Sequence, residues 1–200
     1  MKKLLPLAFL VLSSVYTSAA TASDNWYIGA LYSAQKTKPM AGRNFDTAGI
    51  IVGYQYNEYI GVEARFSGGF SGYSNSWSDT DSSEFEYYED VDNQSSFLIK
   101  TSYPILDSFY VYGLAGYTNT KLKVGGSGQY TDHNVNEDYS FKRSLSENGF
   151  SYGLGVNYQL NEQLNIFIDY QVLPDFQTAI TFEEQDWDWK STNIGINYVF

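Results

Sequence analysis

Apolar and polar residues alternate along most of the chain beyond residue 25, and this period of two predicts β-strands. The final segment shows the pattern well, because Thr192, Ile194, Ile196, Tyr198 and Phe200 share one face while asparagine, glycine and valine occupy the other. No convincing helical period occurs outside the N-terminal residues. The alternation predicts eight strands, at residues 26–35, 47–56, 59–70, 95–105, 109–121, 150–160, 164–172 and 192–200.

The connections between these predicted strands are alternately long and short. Short turns lie at residues 57–58, 106–108 and 161–163, whereas long loops lie at residues 36–46, 71–94, 122–148 and 174–188. An antiparallel meander with short turns at one end and long loops at the other is typical of a transmembrane β-barrel. With an even number of strands, both ends of the barrel chain lie on the side of the short turns.

The composition of the polar face indicates which side of the barrel points outward. A soluble lipocalin-like barrel is the alternative, and it would place its apolar face inside. The polar face here consists mostly of glycine, serine, asparagine and glutamine, which suit the narrow lumen of an eight-stranded barrel. In the fifth strand the faces are less distinct, and we assign Tyr110, Tyr112 and Leu114 to the lipid side and Gly113 and Ala115 to the lumen.

The first 22 residues have the features of a secretory signal peptide. Lys2 and Lys3 precede a short apolar run, and small residues predict cleavage after Ala22, with Ala20 as the second choice. A retained membrane anchor is the alternative, but the apolar run is short for a bilayer span. We therefore expect a signal peptide at residues 1–22 and an outer-membrane β-barrel domain at residues 23–200.

Charge and cysteine content narrow the function classes. Loss of Lys2 and Lys3 changes the net charge of −11 to −13. Nucleic acid is an unsuitable partner for such an acidic chain, because phosphate contacts require lysine and arginine. The sequence has no cysteine, so backbone pairing and packing must hold this exported protein together without disulfides.

Four charged residues interrupt the polar, lumen-facing pattern. Glu63, Arg65, Lys100 and Asp169 stand at similar distances from the short turns, so they are predicted to meet at one depth in the lumen. Buried charges are costly unless they are paired, and two positive and two negative groups predict an ion network. The network could gate a narrow pore or act as a packed plug, and the small lumen of an eight-stranded barrel favours the plug.

The long loops are acidic, and one of them weakly resembles a calcium-binding loop. Asp79, Asp81 and Asp90 supply carboxylates, but the glycine of the sharp turn and the final bidentate glutamate are missing. A solvated, self-repelling loop is the simpler interpretation, and cation binding that orders the loops or bridges them to lipopolysaccharide is the alternative. We expect no cofactor and no dedicated metal site.

Two other loop features bear on function. His133, the one histidine, lies in a polar loop away from any strand end, so no Ser/His-type catalysis is expected. Trp187 and Trp189 stand where the fourth loop meets the last strand, and this position predicts outer interfacial anchors. At the other end of the barrel, Tyr198, Phe200 and Trp26 are predicted to belong to the inner aromatic girdle.

Several segments resemble the OmpA/OmpX-like eight-stranded outer-membrane β-barrels. They are "DNWYIGALYS", "GIIVGYQYNEYIGVEARF", "YVYGLAGY", "GFSYGLGVNYQL" and the terminal "YVF", and the resemblance covers residues 23–200. It implies interior charges at Glu63, Arg65 and Lys100, and a terminal aromatic signal at Phe200 that the outer-membrane assembly machinery reads. The peptidoglycan-binding domain of a full-length OmpA-like protein is not expected in this chain.

These observations lead to one leading functional hypothesis and two alternatives. We expect a monomeric, non-enzymatic outer-membrane barrel with a structural or surface-interaction role, such as membrane integrity or adhesion through acidic extracellular loops. The alternatives are a small passive pore gated by the ion network and, with less support, a lipid A-modifying enzyme. The expected partners are outer-membrane lipid, lipopolysaccharide, the assembly machinery and a host or surface ligand.

Overall fold

The computed structural model describes residues 25–38, 42–79, 83–132, 135–175 and 188–200, so the predicted signal peptide lies outside the described residues. Among these residues, no helix has the length and apolar character needed to cross a membrane. The strands are β1 (Trp26–Lys38), β2 (Arg43–Gln55), β3 (Ile60–Ser71), β4 (Tyr73–Asp79), β5 (Ser83–Leu106), β6 (Phe109–Asp132), β7 (Val135–Gln159), β8 (Leu164–Leu173) and β9 (Asp188–Val199).

Eight of these strands form a closed antiparallel ring. The hydrogen-bonded order is β1-β2-β3-β5-β6-β7-β8-β9, and β9 pairs back onto β1. In the closing pair Ile28 lies opposite Tyr198 and Ala30 opposite Ile196, and the Phe200 amide donates to the Trp26 carbonyl over 3.0 Å. Closure satisfies the backbone groups without leaving a sheet edge in the barrel wall. The predicted eight-stranded barrel is confirmed.

The alternating lipid-facing pattern is confirmed for most strands and wrong for one face assignment in β6. Tyr112 and Leu114 are only 3% exposed and point into the lumen, whereas Val111 and Tyr117 point outward. The reason is space, because Tyr112 lies opposite Gly155 and Leu114 lies opposite Gly153 on β7. Glycines on the neighbouring strand provide room for large inward side chains, and this pairing was not visible within β6 alone.

The strands β5, β6 and β7 continue far beyond the ring. The β7–β8 ladder ends at Tyr152 opposite Val172, but the β6–β7 ladder continues to Asp132 opposite Val135. The Leu122–Leu145 pair still packs against residues of β2, β8 and β9. About ten residues of each strand continue beyond this pair, which at about 3.3 Å per residue is on the order of 30 Å of strand. The segments predicted as loops at 71–94 and 122–148 are therefore mostly strand, which corrects the sequence-based assignment.

The strand extension, formed by β4 with the distal parts of β5, β6 and β7, has an aromatic face. Phe85 lies opposite Gly128 and Tyr87 opposite Gly126. A methyl group at Gly128 would approach Phe85 to 2.7 Å, so the glycines allow aromatic rings to lie flat across β6. This cross-strand packing stabilises segments whose polar composition had predicted loops.

Candidate functional site

Four charged side chains meet inside the lower half of the lumen, which is the half nearer to the short turns. Arg65 contacts Glu63 through its Nε at 2.5 Å and reaches Asp169 across the lumen through its two terminal nitrogens at 2.8 and 3.2 Å. Lys100 Nζ lies 3.6 Å from Glu63. All four side chains are buried, and their formal charges sum to zero. The structure thus brings together the four residues that the sequence had grouped.

Aromatic hydroxyls complete this charged cluster. Tyr27 donates to Glu63 over 2.7 Å, and Tyr112 donates to Asp169 over 2.9 Å. The Asn193 amide donates to the second oxygen of Asp169 over 2.6 Å. Hydrogen bonds to charged groups are stronger than neutral ones, so these donors help to offset the cost of burying the carboxylates.

The cations are also packed against rings. Lys100 Nζ lies 4.3 Å from the centre of the Tyr112 ring, and the Arg65 guanidinium lies 5.6 Å from that of Phe167. Such contacts stabilise a cation that has left water. Apolar side chains surround the charges in the same layer: Tyr27, Leu31, Ile51, Leu98, Tyr112, Leu114 and Phe167. The lower lumen is therefore filled by a paired, hydrogen-bonded and close-packed cluster.

A second cluster, which we call the upper plug, fills the lumen on the side away from the short turns. Its buried members are Phe45, Val91, Leu122, Leu173 and Trp189, with Leu145 packed against them. They come from six different strands of the ring. The Phe45 and Trp189 rings stack with their centres 5.5 Å apart, and the indole nitrogen of Trp189 donates to Gln35 over 2.8 Å.

The position of Trp189 corrects a sequence-based prediction. Trp189 is 1% exposed and points into the lumen, so its prediction as a lipid-facing anchor is wrong. The reason is strand parity, because Trp189 shares the inward face of β9 with Ser191 and Asn193. Trp187, its predicted companion, lies outside the described residues.

Between the two clusters the lumen is lined by small polar side chains that bond to one another. Gln35 donates to Gln94, which donates to Thr120. Thr118 contacts both Ser96 and Ser151. An interior cavity of about 10 Å³ lies in this region, which is room for about one water molecule. Its lining residues are Leu31, Ser33, Arg65, Ser67, Gln94, Ser96, Gln171 and Asn193.

Above the upper plug, a further ion pair lies at the base of the strand extension. Arg43 contacts Glu89 over 2.6 Å, and its guanidinium lies 5.0 Å from the centre of the Tyr73 ring. Tyr87 donates to the same carboxylate. Burial, followed by the hydrogen bond to Glu89, raises the pKa of Tyr87 well above its ordinary value, so the hydroxyl remains a donor at neutral pH.

Three residues predicted in the inner aromatic girdle lie together at the closing strands. Trp26 and Tyr198 are exposed on the outer surface of the barrel. The rings of Tyr198 and Phe200 meet edge to face with their centres 5.4 Å apart, and the ring of Trp26 lies 5.0 Å from that of Tyr54. The role of Phe200 in assembly remains a prediction.

The predicted cation loop is described only in part. Asp81 lies outside the described residues, as does the side chain of Asp79, and Asp90 lies opposite Lys123 in the register of the β5–β6 ladder. Within the described ranges, no group of three histidine or carboxylate side chains is arranged to hold a metal ion. His133 also lies outside the described residues.

The residues that sequence reasoning missed are mainly aromatic. Tyr27, Tyr112 and Phe45 belong to the interior clusters, but an aromatic side chain fits both the lumen and the membrane interface. The available signal was glycine on the neighbouring strand, since Tyr27 lies opposite Gly53 in the same way that Tyr112 lies opposite Gly155. This signal depends on the strand register, which the alternation within one strand does not determine.

The family model for the outer membrane protein beta-barrel domain matches residues 5–200. Ail, the attachment invasion locus protein of Yersinia pestis, is similar with a TM-score of 0.52 and 15% identity, over 89% of this chain and 100% of Ail. The same protein in complex with the heparin analogue sucrose octasulfate gives a TM-score of 0.50 and 15% identity, over 88% of this chain and 98% of Ail.

OprG from Pseudomonas aeruginosa gives a TM-score of 0.51 and 13% identity, over 88% of this chain and 96% of OprG. No curated protein matches the chain. At these identities the solved structures are similar in fold alone.

Proposed function

The chain belongs to the outer membrane protein beta-barrel domain family, and from this premise we propose that it is a closed structural barrel that holds an interaction surface outside the cell. The proposal rests on one observation. The lumen is filled at two levels, while β5, β6 and β7 continue beyond the ring into the strand extension. A barrel that served mainly as a pore would need an open lumen and would not need tall strands.

The aromatic face of the strand extension is the proposed interaction surface. Trp77 is 53% exposed and Tyr139 is 60% exposed. Trp77 stacks on Phe85 with the ring centres 4.6 Å apart, and Tyr139 packs at a tilt against Phe141 with the centres 6.0 Å apart. Exposed apolar groups that gather on one face support a binding role, because soluble surfaces seldom group them this way. Flat aromatic rings can contribute binding energy with little loss of side-chain entropy.

The acidic character of this chain indicates which charge the proposed partner carries. Ail is known with a heparin analogue, which supports surface-ligand binding for a barrel of this fold. In this chain, however, Glu84 and Glu86 are exposed on the opposite face of the strand extension, and the whole chain is acidic. We therefore propose a neutral or cationic partner, such as a basic protein surface, and not a sulfated polysaccharide.

A binding comparison with matched surface variants tests this function. The combined change Trp77→Ser and Tyr139→Ser removes the exposed rings, and Ser76→Ala with Ser140→Ala is the control on the opposite face. Cells that display the Trp77→Ser and Tyr139→Ser variant, the ring variant, should bind immobilised basic proteins at least tenfold more weakly than cells with wild type, because two exposed aromatic contacts are removed. Equal binding by wild type and the ring variant at equal surface expression would reject the proposal.

Two alternatives remain distinct from this proposal. The first alternative is a small pore that the charged cluster would gate, and conductance measurements separate it from a closed barrel. The second alternative is weak binding of a divalent cation by Asp79, Asp81 and Asp90, and calcium titration would then shift the amide resonances of residues 79–90 at millimolar concentration. Lipid A modification has no described residue in support of it, so we propose no enzymatic activity.

A further inference from the structure

The outer surface of β5, β6 and β7 changes in character from the membrane upward. Phe97 lies opposite Tyr117, and Tyr117 lies opposite Phe150 on the next strand, so three exposed rings form one row. The next outward row contains Asn119 and Asn148, which lie opposite each other. Aromatic rings followed by amides are typical of the transition from the hydrocarbon to the headgroup region.

Lys121 is the next outward residue on β6 above this amide row. It is exposed, whereas its chain neighbours Thr120 and Leu122 are buried in the lumen. Its cross-strand partners are Asn93 and Ser146, both exposed and polar. The surface around Lys121 is therefore a small polar area with a positive centre, bordered below by the aromatic row.

The height of this area agrees with the phosphate level of the outer leaflet. Tyr117 is eight residues and Lys121 twelve residues beyond the start of β6 at Phe109. With about 3.3 Å per residue and a strand tilt near 40°, these positions are roughly 20 and 30 Å above the periplasmic turn. The apolar band of such barrels is about 25 Å tall, so Lys121 lies just above its outer edge.

The neighbouring basic residues have different environments. Lys123 pairs with Asp92 over 2.5 Å, so an acid on the protein already neutralises it. Lys121 forms no salt bridge with any residue in the described ranges. Arg143 also projects from β7 but on the opposite face of the sheet, because it lies opposite Val124. Lys142 shares the outward face with Lys121, but it lies opposite Gly125, about four residues further from the aromatic row. Among the described residues of this wall, Lys121 is therefore the cation without an acidic partner that lies nearest to the membrane.

Hydrogen-bond donors stand next to this cation. The Tyr117 hydroxyl donates to Oδ1 of Asn148 over 2.6 Å, which orients the Asn148 amide group. Asn119 contacts Ser146 at 3.4 Å. The amide nitrogens of the two asparagines carry further donor hydrogens. An ammonium group with amide and hydroxyl donors matches the chemistry of a phosphate group.

We propose that Lys121, Asn119, Asn148 and Ser146 form a binding site for a phosphate group of a phosphorylated glycolipid in the outer leaflet. The occupant is a lipid, because the site borders the aromatic row. The acyl chains of a lipid bound there would lie along Phe97, Tyr117 and Phe150. Binding at this site requires that the barrel lies in the outer membrane, as the family does. It does not depend on the proposed interaction surface or on a closed lumen.

Lipid binding to the folded protein tests this site directly. The folded chain is placed in phosphatidylcholine nanodiscs containing a small fraction of diphosphoryl lipid A, and bound lipid A is counted by native mass spectrometry after release into detergent. We expect Lys121→Gln to reduce lipid A affinity about fivefold, the effect of roughly one lysine near an anionic surface. Lys121→Arg retains the charge and should bind as wild type does.

The controls separate this site from a general charge effect. Arg143→Gln makes the same change of charge on the other face of the same sheet, and we expect it to bind like wild type. With lipid A stripped of its phosphates, wild type and Lys121→Gln should not differ, and inorganic phosphate at the same phosphate concentration should not displace the lipid. The proposal is overturned if Lys121→Gln binds like wild type, if Arg143→Gln loses as much, or if free phosphate displaces lipid A.

Discussion

Replacing Arg65 by methionine is the sharpest perturbation of the charged cluster. Arg65 is the central cation, because it joins Glu63 to Asp169 through three contacts of 2.5, 2.8 and 3.2 Å. Its loss leaves two buried carboxylates with Lys100 as the one remaining cation of the four-residue cluster. At an effective dielectric constant near 20, one unit-charge pair at 4 Å is worth about 4 kcal/mol. Removing one partner of a buried pair costs about 3–5 kcal/mol.

We therefore expect Arg65→Met to lower the free energy of unfolding by about 4 kcal/mol. Lys100→Met should cost less, roughly 1–2 kcal/mol, since Lys100 contacts Glu63 at 3.6 Å while Arg65 and Tyr27 still satisfy that carboxylate. The double variant Arg65→Met with Asp169→Asn leaves a neutral cluster, and it should be more stable than Arg65→Met alone.

Urea unfolding in lipid vesicles, followed by tryptophan fluorescence, measures these differences. The predicted order of stability is wild type, Lys100→Met, then Arg65→Met, with the double variant above Arg65→Met. The reasoning fails if Arg65→Met and Lys100→Met both leave the unfolding transition unchanged. It also fails if adding Asp169→Asn lowers the stability of Arg65→Met further, because the two residues would then not be coupled.

Three further predictions concern the lumen and the closing strand. Tyr112→Phe removes the donor to Asp169 and should cost about 1.5–3 kcal/mol in the same unfolding assay. Gly155→Ala would place a methyl group 2.5 Å from the Tyr112 ring and should cost about 1–3 kcal/mol, whereas outward-facing Gly113→Ala has 3.2 Å of clearance and should be near neutral. Deleting Phe200 removes the last amide bond to β1 and should reduce the heat-modifiable, folded fraction in outer membranes, with normal levels arguing against an assembly role.

Much of the barrel was predictable because the membrane imposes a simple rule. Lipid-facing positions must be apolar, so strands with one polar face show a clear alternation. The charged residues were predictable for the same reason, since Glu63, Arg65, Lys100 and Asp169 stand out among small polar neighbours at a common distance from the short turns. Charge has one acceptable place in such a strand, which is the lumen.

The same rule did not assign the aromatic residues to a face. Tyr112 and Trp189 are large and amphipathic, so their type did not reveal whether they face lipid or lumen. The strand register decides, because Gly155 makes room for Tyr112 and Phe45 stacks on Trp189. The strand extension was not predicted for another reason. Its aromatic rings pack over glycines on neighbouring strands, and such contacts between strands cannot be read from the sequence of one segment.

Ion conductance in planar lipid bilayers tests the central claim, that the lumen is closed at two levels. The account predicts no steady channels for wild type, and none for Lys100→Met or Trp189→Ala alone, because each leaves the other cluster in place. Steady channels in wild type that are abolished by changes at Glu63 or Lys100 would contradict the account and establish a gated pore.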